Sequence, residues 1–141
     1  MKTLMMIVVA MVAMMGEAKM TSEETIASTL WFEARGEGRK GIDAVASVIA
    51  NRAKKSGKTM AYECLKPLQF SCWNNRKRVV PSKANGAVWD YCKKVAKEMV
   101  GGSFKVTNNA THYYNFKICS PSWGKKMTDV VVVGNHRFGR C

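Results

Sequence analysis

The segment from residue 31 to residue 38 places two glutamates and one arginine close together in the sequence. Ile26, Leu30 and Glu33 follow one another at intervals of four and three residues, which puts their side chains on one face of a helix. Glu33 therefore continues an apolar face, where its charged form is poorly solvated. We expect its pKa to be raised unless a cation such as Arg35 compensates. Since a general acid requires a raised pKa, the sequence predicts proton transfer at Glu33.

A second interpretation of this segment is purely structural. Most glutamates on helices lie at the surface, and Glu33 would then pair with Arg35 or Lys40 at the end of its helix. Gly36 and Gly38 provide the backbone freedom to end that helix, and they leave space beside the carboxylate. The segment alone leaves both interpretations open.

Two helices are predicted to position this segment. Thr21 and Glu24 have the spacing of a capping box, which indicates the start of the first helix. The apolar residues from Ile42 to Ile49 repeat with a helical period and predict a second helix that ends at Asn51 and Arg52. Residues 36–41 are rich in glycine and join the two. The acidic segment is therefore expected at the corner of a helical hairpin.

The remainder of the chain predicts one more helix and then a sheet. Residues 54–58 have the composition of a basic turn, and a third helix is predicted from Ser82 to Gly101-Gly102. The last forty residues are rich in β-branched and aromatic residues, with a turn at Gly134-Asn135. The predicted strands cover residues 111–116, 129–133 and 136–138. We expect a small α+β domain, with N-terminal helices followed by a small antiparallel sheet.

The first eighteen residues have the layout of a secretory signal peptide. Lys2 precedes an apolar run from Leu4 to Met15, and Gly16 and Ala18 are small residues at the positions before a cleavage site. A buried N-terminal helix is the alternative, but the run has no polar face. Because the run is also too short for a comfortable bilayer span, we expect no stable membrane span. The sequence thus predicts a signal at residues 1–18, a single domain at residues 19–141, and export to the periplasm, cell wall or extracellular space.

The chain has a formal net charge of +13. Lys2 and Glu17 would both be lost with the signal, so the mature protein would keep this charge. In the cytoplasm such a surface would suggest nucleic acid as a partner, but for an exported protein it favours anionic cell-wall polymers. The alternative is a surface that only maintains solubility. We expect binding to wall polymers by charge and no binding to nucleic acid.

Cysteine and histidine side chains are candidate metal ligands and nucleophiles. Five cysteines in an oxidising compartment would allow two disulfides and one free thiol. A metal site would need both histidines, His112 and His136, together with a third ligand such as Asp129 or Cys119. The two histidines lack helical ligand spacing, so we predict neither a metal nor another cofactor.

Cleavage of a glycosidic bond requires fewer protein groups than a metal site does. It needs one carboxylic acid to protonate the leaving oxygen, and either a second carboxylate or an internal nucleophile from the sugar. Glu33 provides the acid. A sugar-facing surface is predicted from loop and strand aromatics, namely Phe70, Trp73, Tyr113, Tyr114 and Trp123. For Phe70 and Trp73 a second interpretation is open, in which the two rings fill the core from a long loop.

An ordered series of motifs resembles the SleB/CwlJ-type cell-wall hydrolase family. The motifs are Glu33-Ala34-Arg35-Gly36-Glu37-Gly38, Gly41 with Val45-Ala46-Ser47-Val48-Ile49-Ala50-Asn51-Arg52, Phe70-Ser71, Ala110-Thr111-His112-Tyr113-Tyr114, Pro121-Ser122-Trp123 and Gly134-Asn135-His136-Arg137-Phe138. The resemblance extends from about Ile26 to the C-terminus. A series in this order and with these short spacings is far more specific than any one of its motifs.

The resemblance implies a lysozyme-like or transglycosylase-like domain that acts on peptidoglycan or spore cortex, with Glu33 as the catalytic acid. In lytic transglycosylase chemistry this acid protonates the oxygen between N-acetylmuramic acid and N-acetylglucosamine. It then takes a proton from the C6 hydroxyl, which closes a 1,6-anhydro ring. The resemblance implies substrate contacts by Glu37, Phe70, Ser71, Trp73, His112, Tyr113, Tyr114, Trp123 and His136. It implies structural roles at the site for Arg35, Gly36, Asn51 and Arg52, while Glu37 would also hold the loop or bind Arg35.

Two positions depart from the family pattern. Gly38 stands where the family often has proline, and Gly139 stands where it often has an aromatic residue that would contact sugar or pack locally. A compact, exported, monomeric enzyme suits both phage lysis, as an endolysin, and bacterial wall remodelling. The alternatives are a metal-dependent N-acetylmuramoyl-L-alanine amidase and a non-enzymatic cationic wall-binding protein.

Overall fold

The computed structural model describes residues 20–67, 69–74, 81 and 86–141. Within these ranges the helices are α1 (Ser22–Ala34), α2 (Gly38–Ser56), α3 (Met60–Leu65) and α4 (Ala87–Gly101), and the strands are β1 (His112–Asn115), β2 (Thr128–Val133) and β3 (His136–Arg140). Short 3₁₀ helices cover Ser71–Trp73 and Ser122–Lys126. The predicted signal peptide at residues 1–18 and the predicted helix start at Ser82 lie outside the described residues.

The ends of α1 follow from local sequence. Thr21 is the N-cap, and its Oγ1 accepts a hydrogen bond from the Glu24 N–H at 3.1 Å, so the predicted start is confirmed. The helix ends at Ala34, and α2 already begins at Gly38. The corner is therefore shorter than the predicted segment 36–41.

The second helix is longer than the sequence indicated. It continues past Arg52 to Ser56 and ends at Gly57, whose φ of 73° is left-handed. The prediction of a basic turn is wrong for residues 54–56, because lysine is a good helix former and Gly57 is the first residue suited to stop the helix. Thr59 then caps the unpredicted short helix α3 by accepting from the Tyr62 N–H at 3.0 Å.

The core lies between α1 and the other helices, with the sheet closing one side. Ile26 and Leu30 of α1 are fully buried, and α1 packs against α2, α3 and α4. The predicted end of the third long helix at Gly101-Gly102 is confirmed, with Gly102 in the left-handed conformation at φ 84°. No helix in the described ranges is long and apolar enough to span a bilayer.

The three strands form one antiparallel sheet in the order β1-β3-β2. Tyr113 pairs with Phe138, and Asn115 pairs with His136. Gly134, in the turn between β2 and β3, has a φ of 57°, and a side chain there would collide with the carboxylate of Glu37. The predicted α+β architecture, helices first and antiparallel sheet last, is confirmed.

Four of the five cysteines are free thiols in the described structure. Cys64 and Cys92 are free thiols in the core, and burial raises the pKa of each to about 12. Cys119 and Cys141 are exposed free thiols. These four side chains are therefore thiols in this structure.

Candidate active site

Glu33 lies at the C-terminal end of α1, where its side chain is partly exposed. The hydroxyl of Tyr113 in β1 donates a hydrogen bond to Glu33 Oε2 at 3.0 Å. The Tyr113 ring is stacked on Phe138 of the neighbouring strand, with a distance of 5.2 Å between ring centroids. The sheet therefore brings a tyrosine hydroxyl, 80 residues away in sequence, to the carboxylate on α1.

Burial, and not the hydrogen bond from Tyr113, shifts Glu33 toward its protonated form relative to a free glutamate. Burial raises the pKa of Glu33, while the Tyr113 hydrogen bond and then the charge of Arg52 act in the opposite direction. The prediction of a raised pKa is confirmed. Burial and the proximity of Glu33 raise the pKa of Tyr113 well above its ordinary value, so its hydroxyl remains a donor. An acid in this setting can release a proton to a ligand and take it back.

The cation that acts on Glu33 is Arg52, whereas the sequence suggested Arg35. The Arg35 guanidinium lies 4.2 Å from the centre of the Trp31 ring, on its own helix. Arg52 comes from α2, and its charge is among the influences that lower the pKa of Glu33. From the sequence, Arg52 is predicted only as a structural residue, on the basis of its place in the motif directly after Asn51.

Polar side chains of α2 fix the loop that leads into β1. Asn51 Nδ2 donates to the carbonyl oxygens of Asn108 and Ala110, at 2.9 and 2.8 Å. Arg52 Nε donates to the Thr111 carbonyl oxygen at 2.7 Å. All three bonds end on the residues just before β1, so this part of α2 determines where β1 presents Tyr113.

Glu37 joins the corner between α1 and α2 to the turn between β2 and β3. Its Oε1 lies 3.4 Å from His136 Nδ1, and its Oε2 accepts from the Asn135 N–H at 3.4 Å. These contacts hold the corner that carries Glu33 against the sheet. Gly36, which lies between Glu33 and Glu37 in the sequence, has open space around it.

Strand alternation divides the predicted aromatic surface between the two faces of the sheet. Tyr113 shares a face with Phe138 and His136, and this face meets Glu33 and Glu37. His112 and Tyr114 project from the opposite face, where their rings contact Trp123 at centroid distances of 5.4 and 5.6 Å. The sequence grouped these side chains in one surface, but residues at odd and even positions of a strand cannot share a face.

Phe70 and Trp73 belong to the core. Their exposed fractions are 1% and 7%, and the Trp73 indole N–H donates to Thr29 Oγ1 at 2.8 Å. The structure therefore favours the interpretation in which both rings fill the core from the loop. Ser71 between them is exposed.

A family model described as cell wall hydrolase matches residues 36–139. The chain belongs to the cell wall hydrolase family. Glu33 lies three residues before the matched range, so its assignment depends on the geometry at α1 and β1. A comparison with curated protein sequences gives no match.

This cell wall hydrolase is similar in fold to two solved structures. The catalytic domain of the germination-specific lytic transglycosylase SleB from Bacillus anthracis superposes with a TM-score of 0.66 at 23% identity, covering 84% of this chain and 93% of that one. The catalytic domain of the Bacillus cereus SleB protein gives 0.65 at 22% identity, covering 86% and 92%. The expected lysozyme-like arrangement of helices and a small sheet is confirmed by this likeness.

The histidines of this cell wall hydrolase do not converge on a metal site. His136 contacts Glu37, while His112 lies on the other face of the sheet with its Nδ1 2.9 Å from Thr111 Oγ1. Among the described residues, no group of three or more His, Cys, Asp or Glu side chains is placed to hold a metal ion. The ligand set that a zinc amidase requires is therefore not assembled in this part of the chain.

The substitution Tyr113→Phe tests the link between β1 and Glu33. The hydroxyl stabilises the Glu33 carboxylate, so its removal should raise the pKa of Glu33 further and move the alkaline limb of the pH–activity profile to higher pH. We expect activity at the original optimum to fall roughly tenfold, the equivalent of one such hydrogen bond. Turbidity loss of a murein suspension, measured across pH, checks both effects.

Tyr114→Phe provides the matched control, since it removes a hydroxyl that instead accepts from Arg137 Nη1 at 3.1 Å. The alkaline limb should remain in place in this variant. A limb that moves equally in both variants would contradict the assignment of Tyr113 to Glu33.

Proposed function

We propose that this cell wall hydrolase cleaves the bond between N-acetylmuramic acid and N-acetylglucosamine of peptidoglycan as a lytic transglycosylase. The observation that carries the proposal is Glu33, a partly exposed carboxylic acid with a raised pKa that is held by the Tyr113 hydroxyl. Family membership supports action on the cell wall. The likeness in fold to a lytic transglycosylase supports the choice of reaction.

In the proposed reaction Glu33 first acts as the acid. It donates its proton to the glycosidic oxygen while the bond from that oxygen to C1 of the muramic acid breaks. The carboxylate then accepts the proton of the C6 hydroxyl, whose oxygen forms a new bond to C1 and closes the 1,6-anhydro ring. Neither water nor a cofactor enters this sequence.

The surroundings of Glu33 fit a reaction that needs only one carboxylate. Glu37, the other acidic residue of the motif, is engaged with His136 and the Asn135 backbone, so it holds the corner and is not directed at a reacting carbon. Burial favours the neutral acid before proton transfer, while Tyr113 and Arg52 stabilise the carboxylate that forms. One side chain can thus serve in both halves of the reaction.

The aromatic cluster of His112, Tyr114 and Trp123 is the candidate surface for sugar rings away from Glu33. Trp123 is 36% exposed, and it presents its ring beside two other flat side chains. We further propose export through residues 1–18, with the net charge of +13 promoting attachment to anionic wall polymers. This fits a monomeric enzyme both in phage lysis, as an endolysin, and in bacterial wall remodelling.

Digestion of purified murein followed by mass spectrometry of the fragments tests the reaction. We expect fragments that end in 1,6-anhydromuramic acid. Reducing ends would indicate hydrolysis by a muramidase, and freed stem peptides would indicate an amidase; either product alone would overturn the proposed transglycosylation. A cationic wall-binding protein would release no fragments, and its binding would fall steeply with salt.

A further inference from the structure

A cavity of about 440 Å³ lies between the C-terminal part of α2, α3 and the start of β1. The eight described residues that line it are polar or charged. The His112 imidazole is the one flat ring among them, whereas sugar-binding pockets depend on larger aromatic faces. Its volume is in the range of ordinary ligand sites. The cavity therefore fits a polar ligand that is not itself a sugar ring.

Positive charge dominates this cavity. Arg52, Lys55 and Lys66 contribute three cations, and Glu63 contributes one carboxylate. Glu63 is only 2% exposed, and its Oε1 accepts from Ser56 Oγ at 2.6 Å, so that carboxylate is already satisfied within the wall. The remaining excess of positive charge favours an anionic ligand.

Two of these cations, Arg52 and Lys55, act on the same lining residue, His112. After burial, the charges of Arg52 and Lys55 are the influences that lower the pKa of His112, which lines the same cavity. Arg52 and Lys55 are one helical turn apart, and they share the cavity only because α2 continues to Ser56. These two charges, together with burial, shift the pKa of His112 downward and so favour its neutral form.

Arg52 also connects the cavity to the catalytic acid. Its charge acts on Glu33, while its Nε donates to the Thr111 carbonyl oxygen at 2.7 Å. Arg52 Nη1 is buried, and it has no hydrogen-bond partner among the residues that the structure describes. Nε is taken by Thr111 and Nη1 is enclosed, so the contribution of Arg52 to the cavity is its positive charge, which favours an anionic carboxylate.

We propose that this cavity binds a carboxylate of the peptide that is attached to the muramic acid beside the cleaved bond. The inference rests on the proposed function. Gln69 adds a neutral amide to the lining, and such a group matches the amides of a peptide. A polyanionic wall polymer carries its charges along an extended backbone, whereas the cations here are gathered around one cavity of about 440 Å³.

The test compares two double variants on three substrates. Lys55→Gln/Lys66→Gln removes two charges at the cavity, and Lys97→Gln/Lys105→Gln removes two exposed charges elsewhere, so the net charge is matched. The substrates are glycan strands with intact stem peptides, strands freed of peptides, and strands whose peptide carboxylates have been amidated. KM and kcat are measured for each pairing, and thermal unfolding confirms that both variants are folded.

We expect the cavity variant to raise KM for intact strands roughly tenfold, the effect of losing charge-assisted contacts, with kcat little changed. Its KM for peptide-free and amidated strands should equal that of the parent protein. The other double variant should match the parent protein on all three substrates.

Equal losses on all three substrates, or equal losses in both double variants, would overturn the inference. A second pattern would show that a carboxylate is the wrong ligand. In it, a soluble phosphodiester polymer inhibits the parent protein but not the cavity variant, and the KM values of the cavity variant do not differ among the three substrates. Failure of the proposed function looks different, because the parent protein would then cleave none of the three glycans. If the parent protein and both double variants cleave all three substrates equally well, the inference fails but the proposed function stands.

Discussion

Glu33→Gln is expected to remove nearly all murein cleavage, lowering kcat by roughly a thousandfold or more, because the side chain is proposed to act as both acid and base. Glutamine retains the shape and can still accept from the Tyr113 hydroxyl, which lies 3.0 Å from Glu33 Oε2. It cannot transfer a proton. Release of anhydromuramic fragments, measured at matched protein concentration, determines the size of the loss.

The same substitution should not weaken the fold. Burial raises the pKa of Glu33, so the folded state binds its proton more tightly than the unfolded state does. The ionised side chain therefore lowers stability as the pH rises from the unfolded pKa through the folded one. Glutamine cannot ionise, and we expect the variant to be at least as stable as the parent protein at neutral pH. Circular dichroism during heating measures this.

Glu23→Gln is the matched control for Glu33→Gln, since it makes the same change in the exposed first turn of α1. It should retain cleavage and lose only a small part of the favourable interaction with the helix N-terminus. Full activity in Glu33→Gln would remove the central claim about the site, whereas equal losses in both variants would indicate a general effect on α1.

Phe138→Ala should have the largest effect on stability, at about 3–5 kcal/mol. Phe138 is 1% exposed, and its ring supports Tyr113 from the neighbouring strand. A loss of this size is a large part of the total stability of a domain, which is roughly 5–15 kcal/mol. Urea unfolding monitored by fluorescence gives the change in midpoint. The molecules that remain folded should also lose activity, because the ring beneath Tyr113 is gone.

Phe116→Ala tests whether this cost depends on burial. Phe116 directly follows β1, and its side chain is 41% exposed, so its removal should cost less than about 1 kcal/mol. Similar midpoints for the two alanine variants would contradict the position of Phe138 in the core. Phe138→Leu should recover part of the stability, since most of the buried volume is restored.

Features with a local cause could be predicted from the sequence. Thr21 begins α1 through its side-chain hydroxyl, while Gly101-Gly102 ends α4 and Gly134-Asn135 turns the chain between two strands through backbone conformation. Each of these effects is contained within a few residues. The end of α2 was placed too early because Asn51 and Arg52 interrupt the apolar pattern. The helix continues through the lysines until Gly57, since helix propensity and the stop residue outweigh the loss of periodicity there.

The exposure of a side chain, and the face of the sheet from which it projects, could not be predicted in this way. Phe70 and Trp73 have the composition of a binding loop, and only packing against α1 shows that they fill the core. Tyr113 and Tyr114 are neighbours in sequence, yet the sheet directs one to Glu33 and the other to Trp123. Which face of a strand meets the helices depends on its register with the other strands.

The sequence by itself determined that a glutamate lies on the apolar side of a helix end, because helical periodicity and desolvation act within a single element. This placement predicted a raised pKa for Glu33 in the absence of a compensating cation, and the structure bears that direction out. Only the tertiary structure decided which groups act on that carboxylate, namely Tyr113 and Arg52 in place of Arg35. These contacts join elements far apart in the chain, and their geometry is set by how α1, α2 and β1 pack together, which the pattern of no one element specifies.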